Sequence, residues 1–370
     1  MISQHLPSVG NDHSSPPPAE PSADQAGPTP PAIRIASPSD LLAVVPYLLG
    51  FHPEHSIVVV GTRPPRNRVQ VAFRYDLPDP PDPDCSRDIG AHAASVLARE
   101  QVAGAVIAGY GPGILVTPVV QELRMQLADA GVEVTELLRA EEARYWSYLC
   151  EDPECCPPDG VPFGHAGSPV AAAAVSAGMT ALQGREHLAA TIAPDVGLGR
   201  DAMCQATAEA QQWAAGLTRD LSTARTEVNA SGCQLVHAAV AAYRGGGRLS
   251  DTDAARLSVL ISSLRIRDEA WMLIDAADIG PHLALWADMT RRAVVGVAAC
   301  ASLLAFAAWT AGNGALANVA LTRALDADQS YRLAHLIIAA IQAGVPPLNE
   351  PMMTPAELAA SYGETPAQPG

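Results

Sequence analysis

No lysine occurs anywhere in the 370 residues, and all 23 basic side chains are arginine. This absence excludes a Walker A phosphate loop, a pyridoxal Schiff base and a Ser-Lys dyad, because each of them needs a lysine amine. The sequence also contains no G-x-S-x-G elbow, no H-E-x-x-H pair and no calcium-binding loop. Aromatic residues make up only 5% of a chain that is 48% apolar, so alanine, valine and leucine must fill most of the core.

Positive charge is scarce, since 39 acidic side chains face 23 basic ones and the formal net charge is -16. This balance argues against a nucleic-acid backbone or an anionic membrane surface as the main partner. The N-terminus lacks the basic start and apolar run of a secretory signal, and the seven cysteines are an odd number. We therefore expect reduced thiols and a cytoplasmic protein.

The stretch from Ser37 to Gly61 reads as a capped helix, a polar loop and an apolar strand. Ser37 is a typical N-cap residue, and Gly50 is a typical C-terminal stop. Pro46 lies within the helical pattern, which predicts a kink or an end there. The run 57–60 (IVVV) is β-branched and does not alternate with polar residues, which predicts a strand buried on both faces.

Strand and helix patterns then alternate as far as residue 165, which predicts an α/β domain over 33–165 with a mixed sheet. The short loop from Gly61 to Asn67 predicts that the first two strands form an antiparallel hairpin. Thr117-Pro118 is expected to begin the third helix of this region. The predicted strands are 57–60, 69–75, 103–108 and 132–138, and the predicted helices after the first are 87–101 and one from 117 to about 131.

From residue 166 to 347 the pattern is helical and rich in alanine, which predicts an all-α domain. Ser250 is expected to cap a helix that carries Leu257, Leu260, Ile261 and Leu264 on one face. The range 293–312 is long enough to cross a bilayer, but alanine dominates it, so we expect a buried helix. The flanks are predicted to be a disordered leader at 1–32 and a weakly ordered tail at 348–370.

The segment SPSDLL…PYLLGFHPEHSIVVVG resembles the opening of the actinobacterial domain-of-unknown-function family numbered 4192. The resemblance runs with gaps from about Ile33 to Pro347. It includes the aromatic run Tyr145 to Tyr148 that leads into a Cys-Cys-Pro segment, and the charged segment Arg265 to Trp271. It implies membership of that family and implies no reaction.

The range from Gly312 to Gln329 is similar to the second half of a tetratricopeptide repeat. Ala317, Leu321, Ala324 and Leu325 stand at its packing positions. Only one such unit occurs, whereas about three repeats are needed for an independent solenoid. The resemblance therefore implies a tetratricopeptide-like helical hairpin within the all-α domain.

Two short polar stretches near the ends of predicted strands are candidates for a ligand site. In the first stretch, His52 and His55 could supply a general base or one edge of a metal site, and equally they could make structural hydrogen bonds. The G-x-G-x-G stretch before a helix could hold an anion such as a nucleotide phosphate on its backbone amides, or it could simply form a tight turn. The candidate ligand-binding residues are His52, His55, Gly109, Gly111, Gly113 and Thr117.

Cys150, Cys155 and Cys156, with His165 downstream, have the residue types of a zinc site. Their spacing matches no standard zinc knuckle, and the side chains of adjacent cysteines are expected to diverge. A proline-rich turn with partly buried thiols, a zinc site and a redox pair therefore all remain open.

The segment from Arg265 to Trp271 could recognise an acidic partner, or it could form an ion pair at a helix start beside a core tryptophan. With no recognised catalytic constellation, we expect a binding module whose helical domain presents a groove to a protein or peptide. The alternative is an enzyme or small-molecule sensor with its pocket in the α/β domain near His52, His55 and 109–113.

Overall fold

The computed structural model describes residues 34–64, 68–164, 167–217, 224–347 and 353–364. The predicted leader at 1–32 lies outside these residues. The first part of the chain has three helices and six strands in the described ranges, in agreement with the predicted α/β region. In chain order they are α1 (Pro38–Leu49), β1 (Ser56–Arg63), β2 (Arg68–Asp76), α2 (Pro83–Arg99), β3 (Gly104–Tyr110), α3 (Gly113–Asp129), β4 (Glu133–Glu141), β5 (Arg144–Ser147) and β6 (Val161–Pro162).

The six strands form one mixed sheet in the order β2-β1-β3-β4-β5-β6. The predicted β1–β2 hairpin is confirmed, with Ile57 opposite Tyr75 and Val59 opposite Phe73. β1 also pairs antiparallel with β3. Only β3 and β4 are parallel, because the chain crosses over through α3 between them.

The capped helix α1 forms as predicted and continues through Pro46. The Ser37 hydroxyl accepts the Asp40 backbone N–H at 3.1 Å, and Gly50 ends the helix with φ 80°. Of the kink or end predicted at Pro46, the end is excluded, because α1 continues to Leu49. An interior proline costs about 3 kcal/mol, whereas each fully buried aliphatic side chain contributes about 1.5–3 kcal/mol. Five such side chains of α1 are buried: Leu41, Leu42, Val44, Val45 and Leu49.

The two faces of the sheet belong to two apolar clusters. Ile57 and Val59 pack in one cluster with α2 and α3. Val58 and Val60 pack in the other, which includes α1 and runs without interruption into the helical part of the chain. β1 is therefore buried on both faces, as its sequence predicted. The second cluster crosses the predicted boundary at residue 165, and the domain boundaries themselves stay a prediction.

The rest of the described chain is almost entirely helical, as predicted. Ser250 caps the helix α8 (Asp251–Leu260) by accepting the Asp253 N–H at 3.1 Å. Leu264 does not share the α8 face, because α8 stops at Leu260 and Leu264 begins the next helix with 57% of its surface exposed. The helices are α4 (Pro169–Ser176), α5 (Arg185–Ala190), α6 (Leu198–Leu217), α7 (Ala224–Arg244), α8 (Asp251–Leu260), α9 (Leu264–Met272), α10 (Ile279–Arg292), α11 (Val297–Thr310), α12 (Gly314–Ala327), α13 (Arg332–Gln342) and α14 (Pro355–Ser361).

The alanine-rich range 293–312 forms the buried helix α11, as predicted. Residues 298–308 of this helix are all buried, and it packs against α10, α12 and α13. In the described ranges, no helix combines the length and apolar character that a bilayer crossing needs. The likeness of α12 to a tetratricopeptide repeat is not confirmed and stays a prediction.

Asp288 on α10 joins two helices and the segment before α8 through one buried carboxylate. It accepts hydrogen bonds from Tyr243 (2.5 Å), Arg248 (2.8 Å), Arg291 (2.9 Å) and Arg292 (2.9 Å). Burial alone would raise the pKa of Asp288, but these hydrogen bonds outweigh burial and hold the pKa well below its usual range. The carboxylate thus fixes α10 against the end of α7 and the approach to α8.

The charged segment at the start of α9 binds an acidic group from the tail of the same chain. Arg265 is buried and pairs with Glu269 at 2.7 Å and with Glu364 at 2.9 Å. The Tyr362 hydroxyl donates to Asp268 at 2.6 Å. The ion pair at the helix start is therefore present, and α14 is anchored beside it by Glu364 and Tyr362.

Candidate functional site

A cleft opens where the parallel strands β3 and β4 end side by side. In α/β sheets, ligands bind outside the carboxyl ends of the strands. The cleft has a volume of about 440 Å³, within the range of small-molecule sites. It is lined by His52, Pro53, Glu54, His55, Tyr110, Gly111, Pro112, Ala140, Glu141, Glu142, Ala143 and Phe163.

One wall of the cleft is the loop 52–55 between α1 and β1. A short ladder holds this loop, since the His52 N–H donates to the Leu182 carbonyl at 2.9 Å and the Leu182 N–H donates to the Gly50 carbonyl at 2.8 Å. The Leu77 N–H donates to the His55 carbonyl at 2.9 Å. Both histidines predicted as ligand residues therefore lie on one rigid wall.

The opposite wall is the two-residue turn Glu142–Ala143 that joins β4 to β5. Both residues have positive φ, 49° and 62°, as a tight hairpin turn requires. His55 across the cleft also has positive φ, 40°. Three of the four non-glycine residues with positive φ in the described ranges thus line this cleft, and such backbone strain is concentrated at functional sites in proteins.

Tyr110, the last residue of β3, lines the cleft and has a buried hydroxyl. The residue is 7% exposed, and its Oη has no hydrogen-bond partner among the residues that the structure describes. The buried Oγ of Ser56, which lies opposite Tyr110 in the β1–β3 pair, is also unpartnered in that set. Burial raises the pKa of Tyr110 far above its ordinary value, so this hydroxyl stays protonated and can donate.

The charge of the cleft is negative. Glu54 and Glu142 are exposed at its rim. The carboxylate of Glu141 pairs with Arg139 at 2.7 Å, and the Arg139 guanidinium stacks 3.7 Å from the Trp146 ring. Burial lowers the pKa of His52, while the nearby Glu54 opposes this shift. The cleft thus has three carboxylates, and only that of Glu141 is paired with an arginine. This excess of negative charge favours a ligand that is cationic or donates hydrogen bonds.

Of the three glycines in the predicted anion loop, only Gly111 lines the cleft. Gly109 lies within β3, where an added Cβ would sit 2.3 Å from Val116 Cγ1, so this glycine permits close packing of α3 on the sheet. Gly113 is the first residue of α3 and lies beneath the Arg139 side chain.

Thr117 is also not at the cleft, and its hydroxyl bonds the Tyr148 hydroxyl at 2.8 Å. The prediction that α3 begins at Thr117-Pro118 is wrong. The helix begins at Gly113, one turn earlier, because Leu115 and Val116 are buried against the sheet.

The loop after β5 brings together the three predicted cysteines. The Sγ atoms of Cys150, Cys155 and Cys156 lie within 4.8 Å of one another. The expectation that the two adjacent side chains diverge is wrong, since the Sγ atoms of Cys155 and Cys156 are 4.0 Å apart. His165 lies outside the described residues.

Sequence reasoning missed Tyr110, Glu141, Glu142 and Phe163 as lining residues. A signal existed for Tyr110, because the last residue of a buried strand before a glycine turn stands at the edge where ligands bind. The other three depend on which strands are neighbours, and that is a property of the sheet. The expected groove for a protein or peptide on the helical part stays a prediction.

Residues 38–348 match the family described as Domain of unknown function (DUF4192). The matched range includes the cleft, the cysteine loop and helices α1 to α13, and it ends before α14. No curated protein and no solved structure matches the chain.

Proposed function

We propose that this chain, which belongs to the DUF4192 family of domains of unknown function, binds a small polar molecule in the cleft at the ends of β3 and β4. The observation that carries the proposal is the Tyr110 hydroxyl. A buried hydroxyl without a partner costs about 1–3 kcal/mol, so it is expected where a ligand supplies the missing bond. Tyr110 lines the cleft, and its hydroxyl is partnerless among the described residues.

The charge of the cleft defines the ligand class. Glu54 and Glu142 stand on facing walls without an arginine partner in the described ranges, whereas Glu141 is neutralised by Arg139. A phosphate at the start of α3 would have to lie near these carboxylates, which disfavours the nucleotide that the G-x-G-x-G spacing suggested. The ligand is therefore a small molecule with a protonated amine or several hydroxyl groups, and Phe163 and Pro53 offer apolar contact to its carbon skeleton.

The test is a titration of the full chain by calorimetry and thermal shift with three groups of probes. The groups are small amines and amino acids, neutral polyols, and nucleotides with sugar phosphates. A ligand present at 100 times its Kd adds about 2.7 kcal/mol to the free energy of unfolding, which is easily measured. We expect a response in the first or second group. A response to the nucleotides and sugar phosphates alone would contradict the argument from the negative charge of the cleft. No response to any of the three groups would overturn the proposal.

Three variants locate the bound molecule. Tyr110→Phe should weaken binding about tenfold, because it removes one hydrogen bond worth about 1.5 kcal/mol. Glu142→Gln should weaken a cationic ligand about 2- to 5-fold, as expected for a partly exposed ion pair. Glu133→Gln is the matched control, because this exposed carboxylate lies at the opposite end of β4. An equal effect of the two glutamate variants would place the ligand elsewhere.

A further inference from the structure

The three sulfur atoms in the loop after β5 have the spacing of ligands around one metal ion. With a Zn–S bond of about 2.3 Å, two sulfurs of a tetrahedral site are about 3.8 Å apart. The Sγ atoms of Cys155 and Cys156 are 4.0 Å apart, and all three sulfurs lie within 4.8 Å of one another. Movements of each sulfur by up to about half an ångström would thus bring them to bonding distance of a common ion.

The loop backbone holds the sulfurs in this arrangement without any metal. The Ser147 hydroxyl oxygen accepts the Cys150 N–H at 3.1 Å. The Asp152 carbonyl accepts the Cys156 N–H at 2.7 Å, and the Asp152 carboxylate accepts the Glu154 N–H at 2.9 Å. Backbone hydrogen bonds around metal ligands hold those ligands in position.

The cluster is also accessible and firmly tied to the sheet. Cys155 is exposed and Cys150 and Cys156 are half-buried, so an ion can enter from solvent. The Trp146 indole donates to the Pro158 carbonyl at 2.9 Å, and Arg144 donates to the Gly160 carbonyl at 2.8 Å. An ion at the three sulfurs would therefore fasten the loop to β5, whose first residue follows the cleft turn 142–143.

We propose that Cys150, Cys155 and Cys156 bind one Zn²⁺ ion as thiolates, with solvent at the fourth position. A divalent cation deprotonates the thiols that coordinate it. Each thiol gives its proton to solvent as its Zn–S bond forms, so binding releases up to three protons.

The experiment uses the full chain purified under reducing conditions from zinc-supplemented medium. We expect about one equivalent of zinc by elemental analysis. After chelation, titration with Co²⁺ should give the intense visible bands of tetrahedral thiolate coordination. Reaction with a thiol reagent should show three fewer reactive thiols with the metal than without it. Less than about a tenth of an equivalent, together with no such bands, would overturn the proposal.

The variants separate this site from other thiols. Cys150→Ser and Cys156→Ser should each weaken zinc binding more than about 100-fold, beyond the 10–100-fold typical of changes outside the ligand shell. Cys204→Ser, at an exposed thiol on α6, is the matched control and should bind zinc like the wild type. Retained binding in both loop variants would overturn the proposal. If those variants do not fold, the thiol protection of the wild-type chain decides the question.

Discussion

Replacing Gly109 by alanine should destabilise the protein, although alanine usually stabilises a strand or helix interior by about 0.5–1 kcal/mol over glycine. The new Cβ would lie 2.3 Å from Val116 Cγ1 and 3.2 Å from Val116 Cγ2. Ordinary contact begins at 3.4 Å, so β3 and α3 must separate by 1.1 Å (3.4 − 2.3) at this point. Overpacking of this kind costs about 1–3 kcal/mol.

The assay is denaturant unfolding of four proteins: the wild type, Gly109→Ala, Val116→Ala and the double variant. Val116→Ala leaves a cavity and should cost about 2 kcal/mol by itself. In the double variant the clash is gone, so its loss of stability should be smaller than the sum of the two single losses by about 1–3 kcal/mol.

Gly113→Ala is the matched control from the same G-x-G-x-G stretch. Its added Cβ would meet only the flexible end of Arg139, at 3.1 Å, so its stability should change by less than about 0.5 kcal/mol. The reasoning is refuted if Gly109→Ala is as stable as the wild type, or if the two single losses simply add.

Further predictions concern the helical part. Asp288→Asn should cost about 3–5 kcal/mol, because it removes the charged partner of the buried Arg292 as well as that of the more exposed Arg248 and Arg291. Asp278→Asn, in an exposed pair with Arg244, should cost less than about 1 kcal/mol. Equal losses of stability in urea unfolding would contradict this account. Because the folded-state pKa of Asp288 is lowered, its contribution is complete above the unfolded value of about 3.9 and is lost as pH falls below it. The difference in the free energy of unfolding between the wild type and Asp288→Asn should thus be constant from about pH 5 to 8 and become smaller below about pH 4. A difference that stays unchanged below about pH 4 would contradict this assignment of the pKa shift. Glu364→Ala should speed amide hydrogen exchange in α14 about 10- to 100-fold, because charge-assisted hydrogen bonds contribute about 1.5–3 kcal/mol. Unchanged protection of the α14 amides would show that the pair of Glu364 with Arg265 does not anchor this helix.

The parts of the fold that local chemistry determines were predictable from the sequence. Helix α1 has its cap, its apolar face and its stop within one short stretch. The run 57–60 of β1 is β-branched and has no polar residue, which is typical of a strand buried on both faces. The α11 range is apolar all round, which is typical of a helix enclosed by others. None of these elements needs a distant partner to define it.

Elements set by distant packing were not predictable in the same way. Proline is favoured in the first turn of a helix, so the sequence predicts a start of α3 at Thr117, but burial of Leu115 and Val116 on the sheet extends the helix toward its N-terminus.

The candidate site also depends on contacts between residues far apart in the sequence. His52, His55 and Gly111 stand out in the sequence, whereas Glu141 and Glu142 join them only because β3 and β4 are parallel neighbours.

The most direct test of the central claim compares two tyrosine-to-phenylalanine variants in the absence of any ligand. Tyr148→Phe breaks the 2.8 Å bond to Thr117 and should lower the free energy of unfolding by about 0.5–1.5 kcal/mol. Tyr110→Phe removes a hydroxyl with no partner among the described residues, so the protein should be at least as stable as the wild type and up to about 1–3 kcal/mol more stable. A loss of unfolding free energy in Tyr110→Phe as large as that in Tyr148→Phe would contradict the proposal that the Tyr110 hydroxyl forms its hydrogen bond with a ligand.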